Sequence, residues 1–156
     1  KFEKKNFHLL DAQRQYVNNS FDFSIKGIGI FSNKTLVHKA CEIMKNKLEQ
    51  FEHDVDADIV FIRTSENTMQ NSFDIVIENE DYTLGKLLEY GIYTKYFEKD
   101  KAIEFCGFKK FHPHDKQSVI RIAYVSPMDR VNIKQQLKVV SKSFVEVFNN
   151  IQKMFS

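Results

Sequence analysis

Tryptophan is absent from the 156 residues, glycine occurs only 5 times and proline twice. So few chain-breaking residues exclude a linker, and 42% hydrophobic residues, 15 of them Phe, exclude a disordered tail. No apolar run approaches the roughly 20 residues that span a bilayer, and no secretory signal opens the sequence. Charge of one sign is lacking too. The 23 basic and 21 acidic residues leave a net charge of +2, spread along the chain. That balance argues against a surface dedicated to nucleic acid, which would concentrate Lys and Arg. Cys41 and Cys106 are too few for a disulfide framework and lack C-x-x-C spacing. Each sits among apolar neighbours, where a free cysteine behaves as a small core residue, so a reducing, intracellular compartment is expected. The length suits one compact domain, or two very small units sharing a core. The chain opens on Lys1 rather than Met, as a fragment or a processed product would.

What is present divides into two blocks. Residues 21–30 read FDFSIKGIGI, in which Phe21, Phe23 and Ile25 alternate with Asp22, Ser24 and Lys26. This predicts a half-buried strand, followed by Ser32 and Asn33 as possible caps. Val37, Cys41, Met44, Leu48 and Phe51 then recur at steps of four and three, one stripe on a helix. The polar stretch 52–57 breaks that stripe and reads as a linker. The second block offers strands over 59–62, 73–77, 102–108 and 118–125. A polar turn over 64–71 joins the first two, and a short helix carries Leu84, Leu87, Leu88 and Ile92 on one face. After Asp129 as cap, Ile133, Leu137, Val140, Phe144, Val147, Ile151 and Met154 hold a three-and-four rhythm, with Phe148 beside them. That helix would be roughly 35–40 Å long. A stripe of this spacing favours a helix partner lying nearly parallel or antiparallel. The helices over 37–51 and 133–154 therefore pair with each other or with a partner chain, or both simply cover one sheet. The fold class is α+β, an antiparallel sheet with helices on one face.

Local chemistry around the short helix points to architecture. Asp81 or Thr83 can accept hydrogen bonds from the first free N–H groups, and Glu80 and Asp81 suit the positive end of the helix. Gly85 inside the first turn costs about 1 kcal/mol against Ala, so another group is expected to approach closely there. Gly107 within a strand reads likewise as a bulge or a close approach.

The residues Glu80-Asp81-Tyr82-Thr83-Leu84-Gly85-Lys86, directly after a strand, resemble the E-D-H-T-L-G-N signature of the α-like RNA polymerase subunits, the eleventh subunit of polymerase II and archaeal subunit L. At the family's spacing, Phe105-Cys106-Gly107-Phe108-Lys109-Lys110-Phe111-His112-Pro113 is similar to F-A-G-Y-K-x-P-H-P. Asp115 and Ile120-Arg121-Ile122 fall where the family has an acidic residue and a strand ending I-R-V. Residues 19–25 with Gly29 and then 36–48 resemble the C-terminal strand and helix of the third subunit, archaeal D. Tyr82, Lys86, Phe111, His114 and Lys26 depart from the family pattern, which bears on partner contacts more than on fold. The resemblance implies residues 1–51 as a partial third-subunit-type unit, 52–57 as linker and 58–156 as an eleventh-subunit-type dimerisation domain. It also resembles the fused third–eleventh subunit of large cytoplasmic DNA viruses, African swine fever virus in particular. The Lys-, Asn-, Phe- and Ile-rich composition fits an AT-rich genome.

By that resemblance the chain is a non-catalytic assembly subunit with no catalytic, cofactor or metal residues of its own. Its partners are the two large catalytic subunits and small zinc-bearing subunits, with self-pairing of fragments possible, and neither membrane nor specific nucleic acid. Its location follows the polymerase: host cytoplasm and virion for a virus, otherwise nucleus or prokaryotic cytoplasm. The interface or structural residues are Val37, Cys41, Met44, Leu48, Asp81, Thr83, Leu84, Gly85, Leu88, Gly107, His112, Pro113, Arg121, Ile133, Leu137, Val140, Phe144 and Phe148. Other classes compete. His112, His114 and Asp115 form a trio that could hold a metal, although no further Cys or His shows ligand spacing nearby. Lys109 and Lys110 among Phe108 and Phe111 mix cations with aromatics as single-strand binders do; a solvated loop edge explains them more simply. Tyr90, Tyr93 and Tyr96 read as core and interface. A stand-alone dimerisation module and a nucleic-acid-binding domain remain as the alternatives.

Overall fold

The structure, a computed structural model, describes residues 1–66 and 69–155. It divides into two units, Lys1–Asn33 and Lys34–Ser156.

The first unit is a short helical run followed by an extended segment. Helix α1 (Phe2–Asn6) passes through a π-helical turn (Phe7–Asp11) into α2 (Ala12–Arg14), and residues 21–28 have no regular structure. The strand expected over 21–30 is therefore not formed. Its apolar positions stand in solvent, with Phe23 87% and Ile28 91% exposed. Alternation specifies a face for a strand but supplies no ladder of hydrogen bonds, and no described residue of this unit forms a strand to pair with it. Asn33 is the first residue of the following helix, and its Nδ2 donates to the Ile25 carbonyl at 3.0 Å.

The second unit begins inside α3 (Asn33–Asp56) and continues through β1 (Phe61–Thr64), β2 (Ser72–Glu78), α4 (Tyr82–Ile92), β3 (Ile103–Lys109), β4 (Gln117–Tyr124) and α5 (Arg130–Met154). Residues 52–56, expected as a linker, are helical and complete α3. The helix stops at Asp56, and two residues on Asp58 takes a left-handed φ of 59°. The Ile59 N–H reaches back to the Asp54 carbonyl at 2.9 Å. This is the 6→1 bond of a Schellman ending, with Asp where Gly is usual. The turn expected over 64–71 includes residues 67 and 68, which lie outside the described residues.

The four strands form one antiparallel sheet in the order β1-β2-β4-β3. Side-chain alternation sends Ile62, Ile75, Ile77, Ile120, Ile122 and Tyr124 to one face. There they join Leu48, Phe51 and Val55 of α3, Leu84, Leu88 and Ile92 of α4, and Ile133, Leu137 and Val140 of α5 in a single core. Strand β3 keeps Ile103 and Phe108 in that core through a register shift between Ile103 and Phe105, because one extra residue restores the parity that strict alternation would lose. The α+β class, with helices packed on one face of an antiparallel sheet, is as the sequence predicts.

Candidate protein-interaction surface

Helices α3 and α5 run antiparallel along the covered face, and charged side chains record their register. Lys134 pairs with Asp58, Lys138 with Asp56 at 2.8 Å and Lys142 with Glu52 at 3.1 Å. Further along, the Lys45 ammonium donates to Asn149 Oδ1 at 2.9 Å and Gln152 Oε1 at 2.6 Å. Buried Gln152 donates in turn to the His38 carbonyl at 3.0 Å. As one helix number rises the other falls, so the pairing is antiparallel. The Lys138 ammonium, hydrogen-bonded to Asp56, holds that carboxyl below its ordinary range. The pairing and the covering of one sheet are thus the same arrangement, and the two readings of the stripe are not alternatives. The stripe itself stays dry only in part. Ile133, Leu137 and Val140 are buried and Phe144 and Phe148 half-buried, but Val147 and Met154 are exposed.

The signature around α4 builds the joint between helix and sheet. Asp81, in extended conformation, accepts from the Thr83 N–H through Oδ1 at 3.0 Å. Donation from the Thr83 backbone N–H keeps the Asp81 carboxyl below its ordinary value. Asp81 is thus the cap and Thr83 the donor. Glu80 reaches Lys47 of α3 at 2.6 Å. Gly85 is buried against Phe108: a Cβ built there would stand 2.0 Å from the ring, so α4 approaches β3 only because that position has no side chain. The close approach expected at Gly85 is a fact of packing. Gly91 serves the helix–helix contact in the same way, since a Cβ there would meet Phe144 and Val140 at 2.5 Å. At Gly107 the neighbour is the Phe105 ring, 2.7 Å from a built Cβ. Tyr82 sets its ring edge-on to Phe108 at 5.3 Å, and Lys86 pairs with Glu89 at 2.6 Å. Cys106 packs behind α4, with burial pushing its thiol up to about 12, which makes it inert at neutral pH.

Besides Asp81, Thr83 and Gly85 at the α4 joint, the proposed interface residues fall into three places. Leu48, Leu84, Leu88, Ile133, Leu137 and Val140 meet in the core, with Phe144 and Phe148 packed against it. Cys41 is buried and Val37 and Met44 half-buried on the first two-thirds of α3. His112, Pro113, Gly107 and Arg121 are not part of that group. His112 and Pro113 lie exposed in the β3–β4 connection, where His112 Nδ1 accepts from the His114 N–H at 3.2 Å. Arg121 sits on the opposite face of the sheet, donating to both oxygens of Asp74 at 2.6 and 2.9 Å. The Asp74 side chain is 4% exposed, and the Arg121 guanidinium holds its carboxyl below the usual range. Asp74 and Arg63, which approaches it at 3.8 Å, are functional candidates that the sequence reading did not single out. The signal was an acid, Asp74, inside an otherwise apolar strand, and the register sets it directly opposite both Arg63 and Arg121. Among the described residues no group of three or more His, Cys, Asp or Glu is gathered to hold a metal, and no helix is long and apolar enough to cross a membrane.

No curated protein matches the chain. Residues 72–154 match the RNA polymerase Rpb3/Rpb11 dimerisation domain. The match opens at the first residue of β2 and closes at the last residue of α5. It takes in the α4 joint, the β3–β4 connection and the long helix that pairs with α3. The chain belongs to the RNA polymerase Rpb3/Rpb11 dimerisation-domain family.

Proposed function

We propose that this protein is a non-catalytic assembly subunit of a DNA-directed RNA polymerase. In this reading α3 and α5 present a helical layer for pairing α-like halves, and the pair forms the platform for the two large catalytic subunits, with small zinc-bearing subunits alongside. The observation that carries it is that the family match over 72–154 takes in three of the four strands, β2, β3 and β4, with helices α4 and α5 packed on them. Exposed apolar residues on the helices, Ile43 of α3 and Val131 and Val147 of α5, support a further helical partner.

We further propose that residues 19–31 together with α3 are a third-subunit-type strand and helix, so that the chain joins third- and eleventh-type parts in the manner of a fused viral subunit. The exposed FDFSI segment supports this, because it has strand alternation and lacks a sheet. A cytoplasmic and virion location would follow from a viral source.

Affinity purification of the tagged protein from its native source, with mass spectrometry of what co-purifies, tests the assembly role. Recovery of two large polymerase subunits in stoichiometric amounts is the expected result. A homodimer free of them would replace it with a stand-alone dimerisation module.

A further inference from the structure

The sheet face turned away from the helices carries its own chemistry. Open faces of antiparallel sheets ordinarily present polar side chains to water. Here one row across the strands is Phe61, Val76, Val119 and Lys109, and the next is Arg63, Asp74, Arg121 and Gly107. Phe61 is 58% exposed, and Phe111, in the connection beside this face, is 63% exposed. Phe111 lies between two neighbouring hollows, one reaching Arg63 and Val76, the other reaching Phe105 and Arg121. The Lys109 ammonium stands over its ring, 4.4 Å from the centroid.

Charge on this face is unevenly matched. Arg121 already occupies both oxygens of Asp74. Arg63 reaches the same carboxylate only at 3.8 Å and keeps half its side chain in solvent. Two guanidiniums over one carboxylate leave one positive charge, with a planar fork of donors suited to a second carboxylate.

We propose that this face docks an extended segment of another protein in which an acidic residue is flanked by large apolar side chains. The carboxylate would sit on Arg63, and the flanking groups on Phe61 and Phe111. Glu78, Asp115 and Lys116 line the rest of that hollow, so the face accepts one carboxylate at Arg63 but offers, among the described residues, no continuous row of cations for the phosphates of a polynucleotide. The surface is separate from the helical layer, so the inference stands whether or not the polymerase role does.

The test uses the full chain, ¹⁵N-labelled, and two fluorescent peptides: one alternating Leu and Asp around a central Phe, and its counterpart with Asn for Asp. The acidic peptide should bind saturably, shift the amides of Phe61, Arg63 and Gly107, and bind at least tenfold more tightly than the Asn peptide. Arg63→Glu should abolish the preference for acid. Arg63→Gln, which adds no repulsion against Asp74, should reduce it severalfold while the remaining amide spectrum is unchanged. Equal affinity for the two peptides, shifts confined to α3 and α5, indifference to Arg63→Gln, or tighter binding of oligothymidylate on this face would each overturn the proposal.

Discussion

Residues 21–30 and residues 72–78 are both apolar-alternating segments, yet only the second is a strand. FDFSIKGIGI leaves Phe23 and Ile28 almost fully exposed, whereas SFDIVIE buries Ile75 completely. The difference is partnership. β2 lies between β1 and β4, so its N–H and C=O groups are used on both sides and its apolar face meets three helices. The earlier segment has the same side-chain code without neighbours. Alternation decides which way side chains point once a ladder exists, but it does not create the ladder.

The largest test of that contrast is to place a charge in the core that β2 joins and another in the 21–30 segment. Leu137→Asp would bury an unpaired carboxylate at a fully buried position and should cost several kcal/mol, abolishing the cooperative thermal transition. Phe23→Asp should move that transition by no more than about 0.5 kcal/mol; a comparable loss from both would show that the 21–30 segment is packed in solution. A smaller effect comes from filling the α4 joint. Gly85→Val drives a side chain into Phe108 and should cost about 1–3 kcal/mol by denaturant unfolding, and an unchanged midpoint would mean that α4 does not lie against β3 as described.

The smallest expected loss within the folded core unit is electrostatic and belongs to the open face of the sheet. Asp74 has its carboxyl held below the ordinary value by Arg121. A depressed folded value means that its contribution is complete above the unfolded value, near 3.8, and is lost as the pH falls through the folded one. Between pH 7 and pH 3 the wild type should therefore lose about 1 kcal/mol more than Asp74→Asn, a figure reduced because Arg121 is one-third exposed and screened by solvent. Equal acid losses in the two proteins would remove Asp74 from the account.

Much of the second unit was legible because its signals are local. The Asp129 cap accepts from the Asn132 N–H at 2.7 Å, as an Asp before a long periodic helix suggests. The crowding at Gly85 follows from a glycine kept where it costs helix stability. The end of α3 was hidden, since its left-handed residue is Asp58 rather than Gly and the residues before it, 52–56, are polar apart from Val55. Their polarity marks a face that pairs with Lys138 and Lys142, and that pairing depends on residues 82 and 90 positions away. The Arg63–Asp74–Arg121 group was hidden for the same reason: it exists only once the strand order and register are fixed.

The hydrogen bond from Gln152 to the His38 carbonyl joins residues 114 positions apart. Its consequence concerns timing. During synthesis α3 emerges first, and its counterpart α5 follows only after the whole sheet has been made. At roughly 5–20 residues per second, the interval is on the order of 5–20 s. Throughout it Leu48, Phe51 and Val55 have no α5 to cover them, and a helix from another newly made chain can take that place before this chain's own α5 arrives.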